Sequence, residues 1–167
     1  WVSVDLIQNT GTAQIWYKFA GGSEPASYTW TFSTSLFPML VGISAYINVD
    51  TATPVDVHNS IQDDIGTDVT VPSITTTQEN DWLIGLYAGV GTAWTPPSGM
   101  TERVDTTQTS NAIEIVDLAL GAAGATGDKT ADKGSAGTGK GFLVALVDRI
   151  LVFSPKFGDF LLPGCLE

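Results

Sequence analysis

The chain has a single cysteine, Cys165, set in Pro163-Gly164-Cys165-Leu166-Glu167 at its very end, so neither an internal disulfide nor a thiolate metal cluster can form. Histidine is equally scarce. His58 stands alone, which excludes a multi-histidine metal site and leaves any Ser-His-Asp or Cys-His arrangement dependent on that one ring. Cations are few as well: seven Lys and Arg face eighteen Asp and Glu, a formal net charge of −11. Phosphate backbones and anionic membrane surfaces are repelled at long range, and nucleic acid is not an expected partner. Long apolar runs are missing too. The nearest are Trp82 to Val90 and Leu36 to Ile47, each broken by Gly or Pro and far short of the roughly 18–20 residues a spanning helix needs, so no membrane insertion is expected. The chain opens at Trp1 without an initiator Met, and residues upstream are expected to have been lost, which leaves room for an export signal among them.

Helical periodicity is also absent, and alternation takes its place. In Ala13 to Ala20, Ile15, Tyr17 and Phe19 share one face while Gln14, Trp16 and Lys18 share the other; in Ser27 to Ser33, Tyr28, Trp30 and Phe32 alternate with Ser and Thr. With Gly21-Gly22-Ser23-Glu24-Pro25 between them, the two runs read as a hairpin. Met39 to Ile47, Val69 to Thr75, Trp82 to Ala88, Ala112 to Leu120 and Phe142 to Val147 are further strand-like runs bounded by Gly, Pro, Asn, Asp or Thr. Pro54 to Gly66 lacks a continuous stripe and reads as a long loop. Gly121 to Gly141 is rich in small residues and reads as a mobile loop or weak edge strand; within it, Thr126 to Asp132 can pair where sheets approach closely. Six to eight strands with loop signals between them predict an all-β, antiparallel, jelly-roll-like β-sandwich. A chain of this length forms one domain that buries roughly 70% of its unfolded surface. The expected division is a sandwich over 1–149 and an apolar tail over 150–167.

The segments Glu24-Pro25-Ala26-Ser27-Tyr28-Thr29-Trp30-Thr31-Phe32, Ile47-Asn48-Val49-Asp50-Thr51-Ala52-Thr53-Pro54-Val55-Asp56 and Asn80-Asp81-Trp82-Leu83-Ile84-Gly85 follow one another in a recognisable order. Thr95-Pro96-Pro97-Ser98-Gly99-Met100-Thr101-Glu102-Arg103, Asp117-Leu118-Ala119-Leu120 and Gly124-Ala125-Thr126-Gly127 complete the set. Over about residues 1–147 the chain resembles the jelly-roll-like β-sandwich modules of bacteriophage tail or other virion proteins and of secreted bacterial surface proteins. The resemblance implies a non-enzymatic structural or attachment module, located in a virion or at an extracellular surface, with self-association or other virion and surface proteins as partners. It brings no residue-level site. Carbohydrate or receptor binding is the alternative, and a hydrolase the second alternative. Modules of this kind carry a strand before the Trp1 position and lack the tail, so Leu151, Phe153, Phe157, Phe160 and Leu161 are expected to pair with the sandwich or with a neighbouring subunit.

Candidate sites are few. Gly134-Ser135-Ala136-Gly137-Thr138-Gly139-Lys140 has the glycine and lysine spacing of a phosphate loop, but Gly141 stands where Ser or Thr must hold Mg²⁺, and a plain glycine loop is expected. The single His58, flanked by Asp56 and Asn59, fits a polar loop. Carboxylates gather at Asp50 and Asp56, at Asp63, Asp64 and Asp68, and at Glu79 and Asp81. Sandwich loops can ligate Ca²⁺ with such groups, yet none follows a Ca²⁺-loop pattern and no cofactor or catalytic residue is expected. Glycan binding calls for exposed rings on which the apolar face of a sugar stacks. Trp94, in the loop Gly91 to Pro97, and Trp16 and Tyr87 are the candidates, with Trp30 and Trp82 assigned to the core.

Overall fold

The computed structural model describes residues 1–9, 11–32, 39–63 and 65–149. Nine strands run through them: β1 Val2–Asn9, β2 Gly11–Tyr17, β3 Val55–Asp63, β4 Asp68–Val71, β5 Trp82–Val90, β6 Thr101–Gln108, β7 Asn111–Ala119, β8 Lys129–Asp132 and β9 Gly139–Leu146. β3, β9, β5, β7 and β6 form, in that order, a five-stranded sheet, while β1–β2 and β4–β8 are two-stranded; every pairing is antiparallel. The expected all-β, antiparallel sandwich is what the chain forms.

The five-stranded sheet is covered on both faces, which explains the composition of its strands. β5 and β9 lie inside the sheet and bury side chains on both sides, so they read as nearly continuous apolar runs. β6, Thr-Glu-Arg-Val-Asp-Thr-Thr-Gln, is an edge strand with only Val104 partly withdrawn from solvent. On the first face Leu83 and Tyr87 of β5, Val116 of β7 and Leu143 and Ala145 of β9 pack with Val69 and Val71 of β4 and Ala131 of β8, together with Ile74, Trp94 and Met100. The opposite face places Ile84, Ile115, Phe142 and Val144 under two covers. Over β3 and β9 lies the β1–β2 hairpin, with Asp5 Oδ2 3.4 Å from His58 Nδ1 and Ile7 buried. Over β5 and β7 lies the stretch 39–47. A Cβ built on Gly42 would stand 2.9 Å from Ile115 Cδ1 and 3.2 Å from Ile113 Cδ1, so glycine is what lets this stretch lie flat on the sheet.

Several elements depart from the sequence pattern. The hairpin at the start of the chain is β1–β2, closed through Gly11 at φ 80°, rather than a pairing of 13–20 with 27–33. Residues 27–32 carry no strand, and 33–38 lie outside the described residues. Pro54 to Gly66, expected as a loop, supplies β3. Its period of two places Val57, Asn59 and Ile61 on the β4–β8 side and His58, Ser60 and Gln62 on the other. β3 is an edge strand whose described side chains are at most partly buried, with His58 exposed, so polar residues occur where an alternation argument looks for apolar ones. Gly121 to Gly141 contributes β8 and the start of β9, and Gly139 and Gly141 serve close approach between layers. The tail residues Leu151, Phe153, Phe157, Phe160 and Leu161 lie outside the described residues.

Candidate functional site

The exposed aromatic residues collect at the beginning of the chain. Trp1, Tyr28 and Trp30 form a mutually touching trio: the Trp1 and Tyr28 ring centroids are 5.5 Å apart at 79°, Trp1 and Trp30 5.8 Å, and Tyr28 and Trp30 5.9 Å. Trp1 is 55% exposed. Lys18 follows β2 and brings its ammonium to 5.1 Å from the Tyr28 centroid and 5.8 Å from that of Trp1. The same ammonium donates to Glu24 Oε2 at 2.8 Å, and Glu24 also accepts from the Tyr28 hydroxyl and the Gly21 N–H. The Lys18 and Tyr28 hydrogen bonds, with that from Gly21, hold the Glu24 carboxyl down at about 2. The turn Gly21 to Pro25 therefore ties the trio to the end of β2 through a charged group. Tyr17 and Phe19, 5.7 Å apart edge to face, extend the aromatic surface on the same limb.

A second feature is a groove of about 390 Å³ between the 43–47 stretch and the β6 edge, walled by Ile43, Ile47, Val104, Trp82, Tyr46 and Arg103. An irregularity in pairing lies beside it. Glu102 pairs with Val116 and Val104 with Ile115, so Arg103 is the extra residue of a β-bulge, and bulges re-aim side chains. Arg103 Nε donates to Asp117 Oδ2 at 2.8 Å, and the Tyr46 hydroxyl donates to the same oxygen at 3.2 Å. Asp117 is 4% exposed, whereas the Arg103 side chain is 47% exposed. Burial, opposed by a hydrogen bond with Ser44 and reinforced by the Asp117 carboxylate, pushes the Tyr46 phenol up to about 12, so it remains a donor. Trp82 stands beside it with ring centroids 5.9 Å apart.

The sequence-expected ligand residues divide. Trp16 lies on the outer side of β2 and is 43% exposed, as a stacking platform requires. Trp94 does not. At 4% exposure it is enclosed on the β4–β8 side of the sheet, tilted against buried Tyr87 at 5.7 Å, so neither ring offers a face to a ligand. The loop Gly91 to Pro97 folds inward because Gly91 N–H donates to Ser110 O, and Thr95 exchanges both backbone hydrogen bonds with Asp132. Trp30 and Trp82, assigned to the core, are only half-buried, one in the aromatic trio and the other in the groove. Alternation identifies a strand but not which of its faces is covered, so sequence reasoning missed Trp1, Trp30 and the Arg103 groove; nothing local in Thr101 to Gln108 signals the bulge. Of the carboxylates weighed as ligands, Asp56 accepts from the N–H and hydroxyl of Thr77, and Asp50 from Ala52 and Thr53. Among the described residues no three His, Cys, Asp or Glu side chains are placed to hold a metal ion. Gly139 and Lys140 open β9, which pairs on both edges. Comparison with protein-family models, with curated proteins and with solved structures finds no match to this chain.

Proposed function

We propose that this domain is a non-enzymatic attachment module of a virion or bacterial surface assembly, and that it holds glycans on the aromatic limb formed by Trp1, Tyr28 and Trp30. The observation that carries the reading is the open indole of Trp1, flanked by two more rings and by the Lys18–Glu24 pair. Clustered rings exposed to water are costly unless something covers them, and a pyranose does so by stacking its apolar face while charged neighbours meet its hydroxyls. The acidic, charge-poor surface fits a setting in which nucleic acid and anionic lipid are kept away. The ionisable groups of the groove, Arg103, Asp117 and Tyr46, are engaged with one another, an arrangement suited to holding a ligand.

Affinity electrophoresis through gels containing soluble neutral polysaccharides tests this reading. The wild-type chain is expected to be retarded by at least one of them, with W1A and Y28A migrating as in an empty gel. Migration unchanged in every gel, or retardation that both variants retain, overturns it.

A further inference from the structure

We propose that the groove beside β6 recognises a carboxylate, and that its ligand is a single hexuronic acid residue of an otherwise neutral glycan. Asp117 is almost wholly buried and grips the guanidinium by Nε, while the Tyr46 hydroxyl occupies the same carboxylate oxygen from the other side. A guanidinium pinned by Nε keeps its two terminal amino groups as a rigid fork, the geometry that meets a planar carboxylate with two parallel hydrogen bonds. The fixed partner removes much of the entropy that an arginine on a flexible stem loses on binding. With Nε held by Asp117, the Arg103 side chain is still half in solvent and lines the groove.

The rest of the lining selects among anions. Trp82 and Tyr46 present a tilted ring pair, Ile43, Ile47 and Val104 supply apolar walls, and Ser44 adds a polar group. That combination fits a six-membered ring with one apolar face and a carboxylate at its edge. About 390 Å³ lies at the small end of ligand pockets and suits a single such ring. A net charge of −11 penalises a multiply charged phosphate far more than a singly charged acid, and one fork offers no second cation to offset the extra charge. The site shares no residue with the Trp1–Tyr28–Trp30 limb and does not depend on the reading given to that limb.

The test titrates the full chain with methyl galacturonoside, its methyl ester and neutral methyl galactoside while following the Trp82 indole and β6 backbone amides by NMR. The free acid is expected to bind in a salt-sensitive way, with the ester and the neutral sugar weaker by about tenfold or more. R103K keeps the charge but not the fork and is expected to lose about tenfold. R103Q/D117N removes both charges together, so no buried carboxylate is left unpaired, and it is expected to fold and to lose binding of the acid. Equal affinity for acid and ester, full binding by a folded R103Q/D117N, or no binding of the acid at millimolar concentration overturns the proposal. Tighter binding of a peptide α-carboxylate than of the uronate also overturns it, in favour of a protein partner. Should the double variant not fold, the acid-to-ester comparison on the wild type decides alone.

Discussion

Gly141 lies so close under Val71 that a Cβ built on it would stand 2.4 Å from Val71 Cγ2, with Val69 Cγ1 at 2.9 Å and Tyr87 Cδ1 at 3.2 Å. Two positions back along β9 the same holds for Gly139, whose Cβ would fall 2.3 Å from Val69 Cγ2. This pair of glycines sets the spacing between the five-stranded sheet and β4–β8. Neither has a positive φ, so the requirement is for space and not for backbone conformation. Gly141→Ala is therefore expected to overpack the core at a cost of about 1–3 kcal/mol, and Gly141→Ser, which would complete a phosphate-loop pattern on paper, is expected to cost at least as much. Urea unfolding of the two variants checks this; a midpoint equal to wild type for either would show that the layers give way easily.

Those glycines also show what could be read before the fold was known. β5, β7 and β9 were legible because they are buried on both faces, and apolar residues there follow one another with little interruption. The Gly-rich stretch before Phe142 was legible only as small and uncommitted, because its meaning lies in Val69 and Val71, some seventy residues away. β3 was obscured by His58, Asn59, Ser60 and Gln62, which an edge strand that is only partly buried tolerates. Of the candidate surface, Trp16 was legible as an outward ring. The pairing of Trp1 with Tyr28 and Trp30 depends on how the chain returns after Pro25, and the bulge at Arg103 on the register of β6 against β7. Neither is a local property.

Glu114 makes stability depend on pH. Its side chain is fully buried on the β4–β8 side of the sheet, and among the described residues neither carboxylate oxygen has a hydrogen-bond partner. Burial, with the nearby charges of Glu102 and Asp105, pushes its carboxyl from 4.5 up to about 7. Between those values the folded chain keeps a proton that the unfolded chain has released, so stability falls as pH rises from about 4.5 to about 7 and then levels off. Asp81, pushed up to about 6 by burial and by the charge of Asp56, adds a second decline over the lower part of that window. Glu114→Gln cannot ionise and is expected to raise Tm at pH 8 by about 3–8 °C while changing it little at pH 4.5. Thermal scans across that range measure it, and a variant that parallels wild type at every pH would rule out Glu114 as the source.

Trp94 and Trp16, both ligand candidates from the sequence with Trp94 the stronger, are expected to separate cleanly. Trp94→Ala empties a site packed against Tyr87 and is expected to cost about 3–5 kcal/mol. Trp16→Ala removes a ring already facing water and is expected to stay within about 0.5 kcal/mol of wild type. Denaturant midpoints distinguish them, and similar losses in both would place Trp16 under cover.

The β6–β7 turn is the simplest place to gain stability. Gln108 pairs with Asn111, leaving Thr109 and Ser110 as a two-residue loop, and Thr109 adopts φ 60°. A β-branched residue in that region is strained, because its Cβ crowds the backbone, and a two-residue hairpin with positive φ at its first loop position favours glycine there. The strain is worth on the order of 1–2 kcal/mol, partly offset by the greater freedom that glycine has in the unfolded chain. Thr109→Gly is therefore expected to raise Tm by about 1–4 °C, and Thr109→Asn by less. Thr109→Ala, which loses the branch but keeps a Cβ, is expected to fall between wild type and glycine. That ordering separates relief of backbone strain from loss of a contact made by the threonine hydroxyl, because loss of a contact would place alanine and glycine together below wild type.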